Sequence, residues 1–388
     1  MVFSQWKVSV AKSELELQFN EFIMLIGVDA SRASGKEKTG TENYSRNLIL
    51  NLAKIDRKNN YILYLKPDYD TEFDHLAKNF RLKIIPAKRF WTQIGLSREM
   101  LLKKPDVLFV PAHILPPITP AKTVVTIHDL AWKYFPGAYS HSEIRLQKLA
   151  ISRAIKKKSQ IIAYSLSTLL DLKKYFNLDN SRLSFVPMGF NPEKFAVEKS
   201  KSNPLDINGP YILSVGRLET KKNIVNLIKA YILLRQERKI KEKLVLTGKP
   251  GFGYKEIEKT IESLGLIKSD VIITGYVSDD DLRQLYVNAS IFVFPSLYEG
   301  FGFPILEAFA SGVPVVTSSI SSMPEIAGNA ALLVNPKKPF EITAAISQIL
   351  NKPALKKSLI SKGKARINLY SWETCAKETL KVLTGMDD

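Results

Sequence analysis

The sequence predicts two doubly wound α/β domains facing across a cleft, on three observations. At 388 residues it exceeds the size at which one hydrophobic core keeps growing. Short apolar, often β-branched runs alternate with helical stretches, the pattern of strands buried on both faces of a parallel sheet. That alternation halts at a polar, proline-bearing stretch and then starts again.

Residues 1–20 read as an extension. Glu14 and Glu16 precede the first apolar run and no small-residue cleavage site follows, which argues against a secretory signal. In the N-terminal domain, 21–190, the strand-like runs are Leu25–Ala30, Tyr61–Leu65, Val107–Pro111, Thr123–Ile127 and Gln160–Tyr164. The hinge is Val186-Pro187-Met188-Gly189-Phe190-Asn191-Pro192 with the Lys- and Ser-rich stretch up to Gly209 and Pro210. In the C-terminal domain, 191–369, strands are expected at Tyr211–Val215, Lys243–Thr247, Val271–Thr274, Ile291–Pro295, Val313–Thr317 and Ala331–Val334. The segment 370–388, with Trp372, Cys375, Leu380 and Leu383 among charges, reads as a terminal amphipathic helix.

Composition excludes several classes. Hydrophobic residues make up 45% and charged residues 24%, so the chain folds rather than staying disordered. The longest apolar runs, such as Phe22–Val28, are far short of the roughly 20 residues that span a bilayer. A lone Cys375 forms no intrachain disulfide, and the expected location is cytoplasmic. The formal net charge of +18 favours anionic partners. No zinc-finger spacing or RNP-like pattern is present, so nucleic acid is not expected. Arg153, Lys156, Lys157 and Lys158, and Lys88 and Arg89 beside Phe90 and Trp91, would suit anionic lipid headgroups with aromatic anchoring at the inner face of the cell membrane. Lysine-rich solvated faces account for them equally well.

Two segments carry the chemistry. In Ser296-Leu297-Tyr298-Glu299-Gly300-Phe301-Gly302-Phe303-Pro304 and the stretch after it, a strand enters a glycine loop and then a helix opened by proline. Helix-start amides at the carboxyl end of a parallel strand bind anions and polar ligands. Glu299 and Glu307 stand eight residues apart, a rise of at most roughly 12 Å if all helical, and carboxylates accept hydrogen bonds from sugar and ribose hydroxyls. The same spacing also fits a helix-start acid and an exposed helix residue. In Val215-Gly216-Arg217-Leu218-Glu219-Thr220-Lys221-Lys222-Asn223, Arg217 and Lys222 offer a fixed fork and a mobile point charge to a diphosphate. A surface lysine cluster is the alternative, and it suits Lys221 better than Arg217.

Taken together these segments resemble the retaining glycosyltransferases of family 4, over almost the whole chain after residue 24. The likeness rests on Glu299 to Glu307, on Gly216-Arg217-Leu218 with Lys222-Asn223, and on the run from Glu307 to Val315. It implies a GT-B architecture of two Rossmann-like domains, with a nucleotide-diphosphate sugar held by the C-terminal half. It further implies that Glu307 holds the ribose and that Glu299, with Gly300, Phe301, Gly302 and Ile305, holds the transferred sugar. Gly216, Arg217 and Lys222 would hold the diphosphate, and Val277 would meet the base. His128, in Thr126-Ile127-His128-Asp129, resembles the family's histidine that approaches the donor sugar, although a lone histidine is also commonly structural. Asp129 is expected to cap or orient its loop.

Gly40 occupies the loop that similar enzymes bring near donor phosphate or acceptor, though the charged stretch Arg32–Lys38 departs from the commoner glycine-paired loops. Arg89-Phe90-Trp91-Thr92-Gln93 resembles an acceptor-side segment, although a Trp beside cations is more often a packing residue or a membrane-interface anchor than a sugar platform, and the helix around Trp372 resembles the closing helix that crosses back onto the N-terminal domain. By overall likeness mannose from GDP-mannose is the expected sugar, with UDP-glucose and other UDP-sugars as the alternatives, in cell-envelope polysaccharide or glycolipid assembly with a lipid-linked or saccharide acceptor. Asp68-Tyr69-Asp70 reads as a surface turn and Asp279-Asp280-Asp281 as a helix start, so no metal and no other cofactor is expected. A sugar-nucleotide epimerase of the same layout and a noncatalytic sugar-nucleotide-binding subunit are the competing readings.

Overall fold

The computed structural model describes residues 23–33, 40–87, 89–112, 114–198, 204–238, 240–267 and 269–385; the extension at 1–20, Lys88 and most of the charged stretch up to Lys38 lie outside them. Two sheets, parallel throughout, account for the architecture. The first has seven strands, β1 (Leu25–Asp29), β2 (Asn60–Leu65), β3 (Phe80–Ile84), β4 (Val107–Val110), β5 (Lys122–Thr126), β6 (Gln160–Ala163) and β7 (Leu183–Phe185), in the order 3-2-1-4-5-6-7. The second has six, β8 (Tyr211–Val215), β9 (Lys243–Thr247), β10 (Val271–Gly275), β11 (Ile291–Phe294), β12 (Val315–Ser318) and β13 (Ala331–Val334), in the order 10-9-8-11-12-13.

The order reverses between β1 and β4 in the first sheet and between β8 and β11 in the second. Each reversal opens a crevice at the carboxyl ends of the strands, where ligands bind in such sheets. Two strands escape the sequence reading, β3 and β7. Both lie at sheet edges, β3 carries Arg81 and Lys83, and β7 has only three residues, so neither shows the continuous apolar run of a central strand.

The chain crosses between the halves twice, and the crossings meet where the Phe190 amide donates to the Tyr370 carbonyl at 3.0 Å. The terminal helix, Trp372–Thr384, starts with the Ser371 hydroxyl accepting from the Thr374 amide. It lies against the first helix, Gly40–Ile55, with Trp372 and Tyr44 ring centroids 6.2 Å apart and Cys375 buried between.

One aromatic expectation fails. Trp91 is not available as an interfacial anchor or a sugar platform: it is buried, its indole N–H donates to the Ile85 carbonyl at 3.2 Å, and it packs with Leu96 and Met100 under the first sheet. A large ring inside one turn of helix gains more from the core than from water. Phe90 beside it is exposed. Arg153 is likewise committed, donating to the Leu115 carbonyl at 2.8 Å.

Candidate active site

The Glu299–Gly302 loop leaves β11 and enters the Phe303–Ala310 helix. Gly302 takes φ +131°, a conformation that side-chain-bearing residues rarely adopt, and so turns the chain into the helix start. Gly300 lies against the opposite domain: a Cβ there would sit 2.7 Å from the His128 carbonyl and 3.0 Å from the Tyr164 hydroxyl. Two serines after β12 hold the loop. Ser321 accepts from the Glu299 amide at 3.1 Å, and the Ser322 hydroxyl donates to the Glu299 carbonyl at 3.0 Å. Nothing in the motif spacing pointed to these serines; the run Ser318-Ser319-Ile320-Ser321-Ser322 at a strand end was the available signal.

Glu299 meets Lys222. The ammonium lies 2.6 Å from Glu299 Oε1, with the two side chains 13% and 11% exposed, and 4.8 Å over the Phe294 ring. Burial pushes the Glu299 carboxyl upward, but the charges of Lys222 and Lys221 outweigh it and hold the group below its ordinary value. Lys221 does not belong to a solvated cluster, contrary to the sequence reading. Its side chain is 19% exposed and pairs with Glu219 at 3.6 Å. Burial by itself would lower Lys221, whereas the carboxylates of Glu299, Asp129 and Glu219 reverse that and hold it above its usual range. Asn223 is structural, donating from its buried amide to the Pro295 and Pro336 carbonyls at 3.0 and 2.6 Å, which ties the lysine turn to the end of β11.

Arg217, exposed just past Gly216 at the end of β8, lines a cavity of about 530 Å³ with Lys221 and Lys222. Gly40, Tyr139 and Glu143 form its other wall, so both domains contribute. Three cations thus converge where the first domain faces the second.

Glu307 is partly buried one turn into the helix and accepts from the Tyr286 hydroxyl at 2.7 Å. It is therefore not a freely exposed helix residue. Burial pushes its carboxyl up to about 7, with the Tyr286 bond and the Lys222 charge opposing. Phe301 and Ile305 are buried beneath the loop, so only their backbone groups face outward, and Val277 packs half-buried beyond β10. Ser278 caps the following helix by accepting from the Asp281 amide at 3.1 Å, while Asp280 pairs with Arg283; this is how the acidic run 279–281 is used. Among the described residues no cluster of three or more His, Cys, Asp or Glu is placed to hold a metal ion.

His128 ends the β5 segment opposite Gly300. Its Nε2 donates to the Pro111 carbonyl at 2.8 Å, and Tyr44 and Tyr164 each meet its ring edge-on at 5.3 Å. Burial lowers it to about 4, so the imidazole is neutral at pH 7. It lines a smaller cavity of about 150 Å³ with Thr41, Tyr139 and Gln147, and Tyr139 walls both cavities. Asp129 accepts from the Ala131 amide at 2.8 Å, which orients the loop.

Next to Glu299 lies a contact that the motifs did not suggest. Tyr298 reaches into the first domain, accepts from the Leu130 amide at 3.0 Å, donates to Asp171 at 2.9 Å and stacks on Tyr134 with centroids 4.6 Å apart. Glu325 likewise accepts from the Leu166 amide at 2.8 Å at the start of an opposing helix.

Comparison with known proteins sets this geometry in a family. The profile described as "Glycosyl transferases group 1" matches residues 196–366. O-antigen chain mannosyltransferase B of Escherichia coli is 31% identical over 265 residues, 67% of this chain and 69% of that protein. Serotype-specific mannosyltransferase WbdA of Escherichia coli is 31% identical over 278 residues, 69% of this chain but only 34% of that longer protein. Among solved structures, sucrose-phosphate synthase from Thermosynechococcus elongatus superposes with a TM-score of 0.70 at 18% identity, covering 94% of this chain and 99% of that one, a likeness of fold.

Proposed function

This chain belongs to the glycosyl transferases group 1 family and is a glycosyltransferase of GT-B fold, and on that premise we propose that it moves mannose from a nucleotide-diphosphate donor to an acceptor hydroxyl in polysaccharide assembly. The observation that carries the reading is the Lys222–Glu299 pair, set between a cationic cavity and a helix start that faces His128 across Gly300. Cations and amides at that point stabilise a departing diphosphate, the charge that grows most in the transition state. The two mannosyltransferase relatives support mannose as the sugar.

In this reading Arg217, Lys221 and Lys222 take the diphosphate, Glu299 and the loop amides take the sugar, Glu307 takes the ribose and Val277 meets the base. The anomeric carbon loses its bond to the diphosphate oxygen and gains one to the acceptor oxygen on the same face. The acceptor proton passes to the leaving phosphate. Neutral His128 acts as a hydrogen-bonding group near the sugar and not as a cation. The cations do the work of a metal, so activity survives EDTA. The acceptor is a saccharide, carried on lipid and handled at the cytoplasmic face of the membrane, a reading that the +18 charge favours.

Thermal unfolding with a panel of nucleotide sugars tests this, since a specific donor stabilises by mass action. GDP-mannose should raise the midpoint most, and NMR of the product should show the donor's anomeric configuration retained. Conversion of donor to a new sugar nucleotide without acceptor would instead make the protein an epimerase, and no donor turnover would make it a binding subunit. Loss of transfer in EDTA, restored by Mn²⁺, would overturn the metal-free reading.

A further inference from the structure

Of the three cations that wall the larger cavity, two have carboxylate partners: Lys222 pairs with Glu299 and Lys221 with Glu219. Arg217 has no ion-pair partner among the described residues, and its one side-chain hydrogen bond there runs from Nε to the Pro250 carbonyl at 3.5 Å. A long, exposed cation on a flexible stem points where its surroundings set it. The surroundings of Arg217 are a glycine-rich loop that follows β9, Gly248-Lys249-Pro250-Gly251-Phe252-Gly253.

This loop continues the pairing of β8 with β9 beyond the strand ends. The Gly216 amide donates to the Thr247 carbonyl and the Leu218 amide to the Lys249 carbonyl, each at 2.9 Å. The Gly251 amide donates back to the Leu218 carbonyl at 2.9 Å, and Thr220 donates to the Phe252 carbonyl through its amide at 2.8 Å and its hydroxyl at 3.1 Å. So close an approach leaves no room for side chains. A Cβ on Gly248, which takes φ +145°, would collide with the Gly216 carbonyl oxygen, and a Cβ on Gly251 would lie 3.0 Å from Arg217 Cγ. The arginine stem therefore rests on bare backbone at position 251.

Two further parts of the cleft meet the same loop. At its start the Gly248 amide donates to the Gly275 carbonyl at 2.9 Å, and the Lys249 ammonium lies 4.7 Å over the ring of Tyr276, the neighbour of Val277. At its tip Phe252, half exposed, crosses to the first domain: a Cβ at Gly137 would stand 3.0 Å from its ring Cζ. Phe252 walls the cationic cavity together with Phe135 and Tyr139 of that domain. A ring left half in water at a loop tip gains little from burial, so what Phe252 supplies is the contact across the cleft.

We propose that the 247–253 loop positions Arg217 for the diphosphate of the donor, with Gly251 bedding the arginine stem and Phe252 bracing the loop against Gly137 of the first domain. Gly251, Phe252 and Gly137 are positioning residues that act through Arg217. The inference rests on the glycosyltransferase reading, in which Arg217 takes the diphosphate.

Calorimetric titration of the full chain with GDP and GMP, and with UDP and UMP, tests it. The expected signature is a loss of diphosphate affinity with monophosphate affinity kept. Gly251→Ala should weaken diphosphate binding by about tenfold, and Phe252→Ala by about threefold or more, both at the wild-type thermal midpoint of the ligand-free protein. Gly137→Val, which presses on the ring from the other domain, should weaken it likewise, whereas Gly137→Val/Phe252→Ala should bind no worse than Phe252→Ala alone. In an Arg217→Ala background none of the three should cost anything further, because the group they act through is gone. If Gly251→Ala lowers the midpoint, the Gly137 and Phe252 variants, whose changes lie on exposed surface, decide the matter. Equal losses of diphosphate and monophosphate, further losses in the Arg217→Ala background, or unchanged diphosphate binding in the loop variants would each overturn the positioning role. Wild-type protein that binds neither diphosphate would remove the donor reading and the positioning role with it. Wild-type protein that binds one, with the variants unaffected, would overturn the positioning role and leave the donor reading standing.

Discussion

Replacing Glu307 by Gln should make the protein more stable and a poorer binder of its donor. Glu307 is a carboxyl held up to about 7, against an ordinary 4.5, because burial desolvates it by more than the Tyr286 hydrogen bond and the Lys222 charge offset. A raised acid pKa means that the folded state binds the proton more tightly than the unfolded one, so stability falls as pH rises through the interval between the two values. The penalty is absent below about 4.5 and complete above about 7. At 1.36 kcal/mol per pKa unit its ceiling is about 3 kcal/mol, and about 1–2 kcal/mol remains once solvent screening of a partly exposed group is allowed for. Glutamine keeps an oxygen to accept from Tyr286 and carries no charge, so it escapes the penalty at every pH.

The assay is urea unfolding of both proteins from pH 4.5 to 8.5. The curves should coincide at the acid end and separate in favour of E307Q above pH 7. Donor affinity, read from the shift in thermal midpoint, should fall by about tenfold or more, since bonds to a charged acceptor are each worth about 1.5–3 kcal/mol. A variant less stable than wild type at pH 8, or one that binds donor unchanged, would refute the reasoning.

Other substitutions probe the remaining parts. Tyr298→Phe leaves the Leu130 amide unpaired and removes a bond to a carboxylate, so stability should drop by about 2–4 kcal/mol and X-ray scattering should report a more open pair of domains; an unchanged scattering profile would count against Tyr298 as an interdomain latch. Lys222→Ala strands Glu299 and should cost about 3 kcal/mol, with Lys222→Ala/Glu299→Gln recovering most of it in urea unfolding. If the double variant were no better than the single one, the pair would not be the cause. His128 is lowered from 6.5 to about 4 by burial, so its contribution to stability is complete above pH 6.5 and is lost as pH falls toward 4. His128→Asn, which can still donate to Pro111, should flatten that acid limb by up to about 3 kcal/mol in thermal scans.

Much of the molecule was legible because strands buried on both faces announce themselves as apolar runs. The central strands of both sheets were readable for that reason, and the edge strands β3 and β7 were not; the terminal helix was readable from its amphipathic spacing. The Gly302 turn and the spacing of Glu299 and Glu307 were likewise local features, written within nine consecutive residues. What only the tertiary structure decided were meetings between distant segments. Lys221 reads as one more surface lysine until Glu219, Glu299 and Asp129 are placed around it. Trp91 reads as an exposed anchor until the Ile85 carbonyl and the core beneath the sheet claim it. Tyr298 carries no signal at all, since its partners lie 127 and 168 residues away in the other domain. Periodicity and turn chemistry act over a few residues and so are written along the chain. Desolvation and charge pairing depend on which surfaces close on one another, and only the folded arrangement of the two halves supplies that.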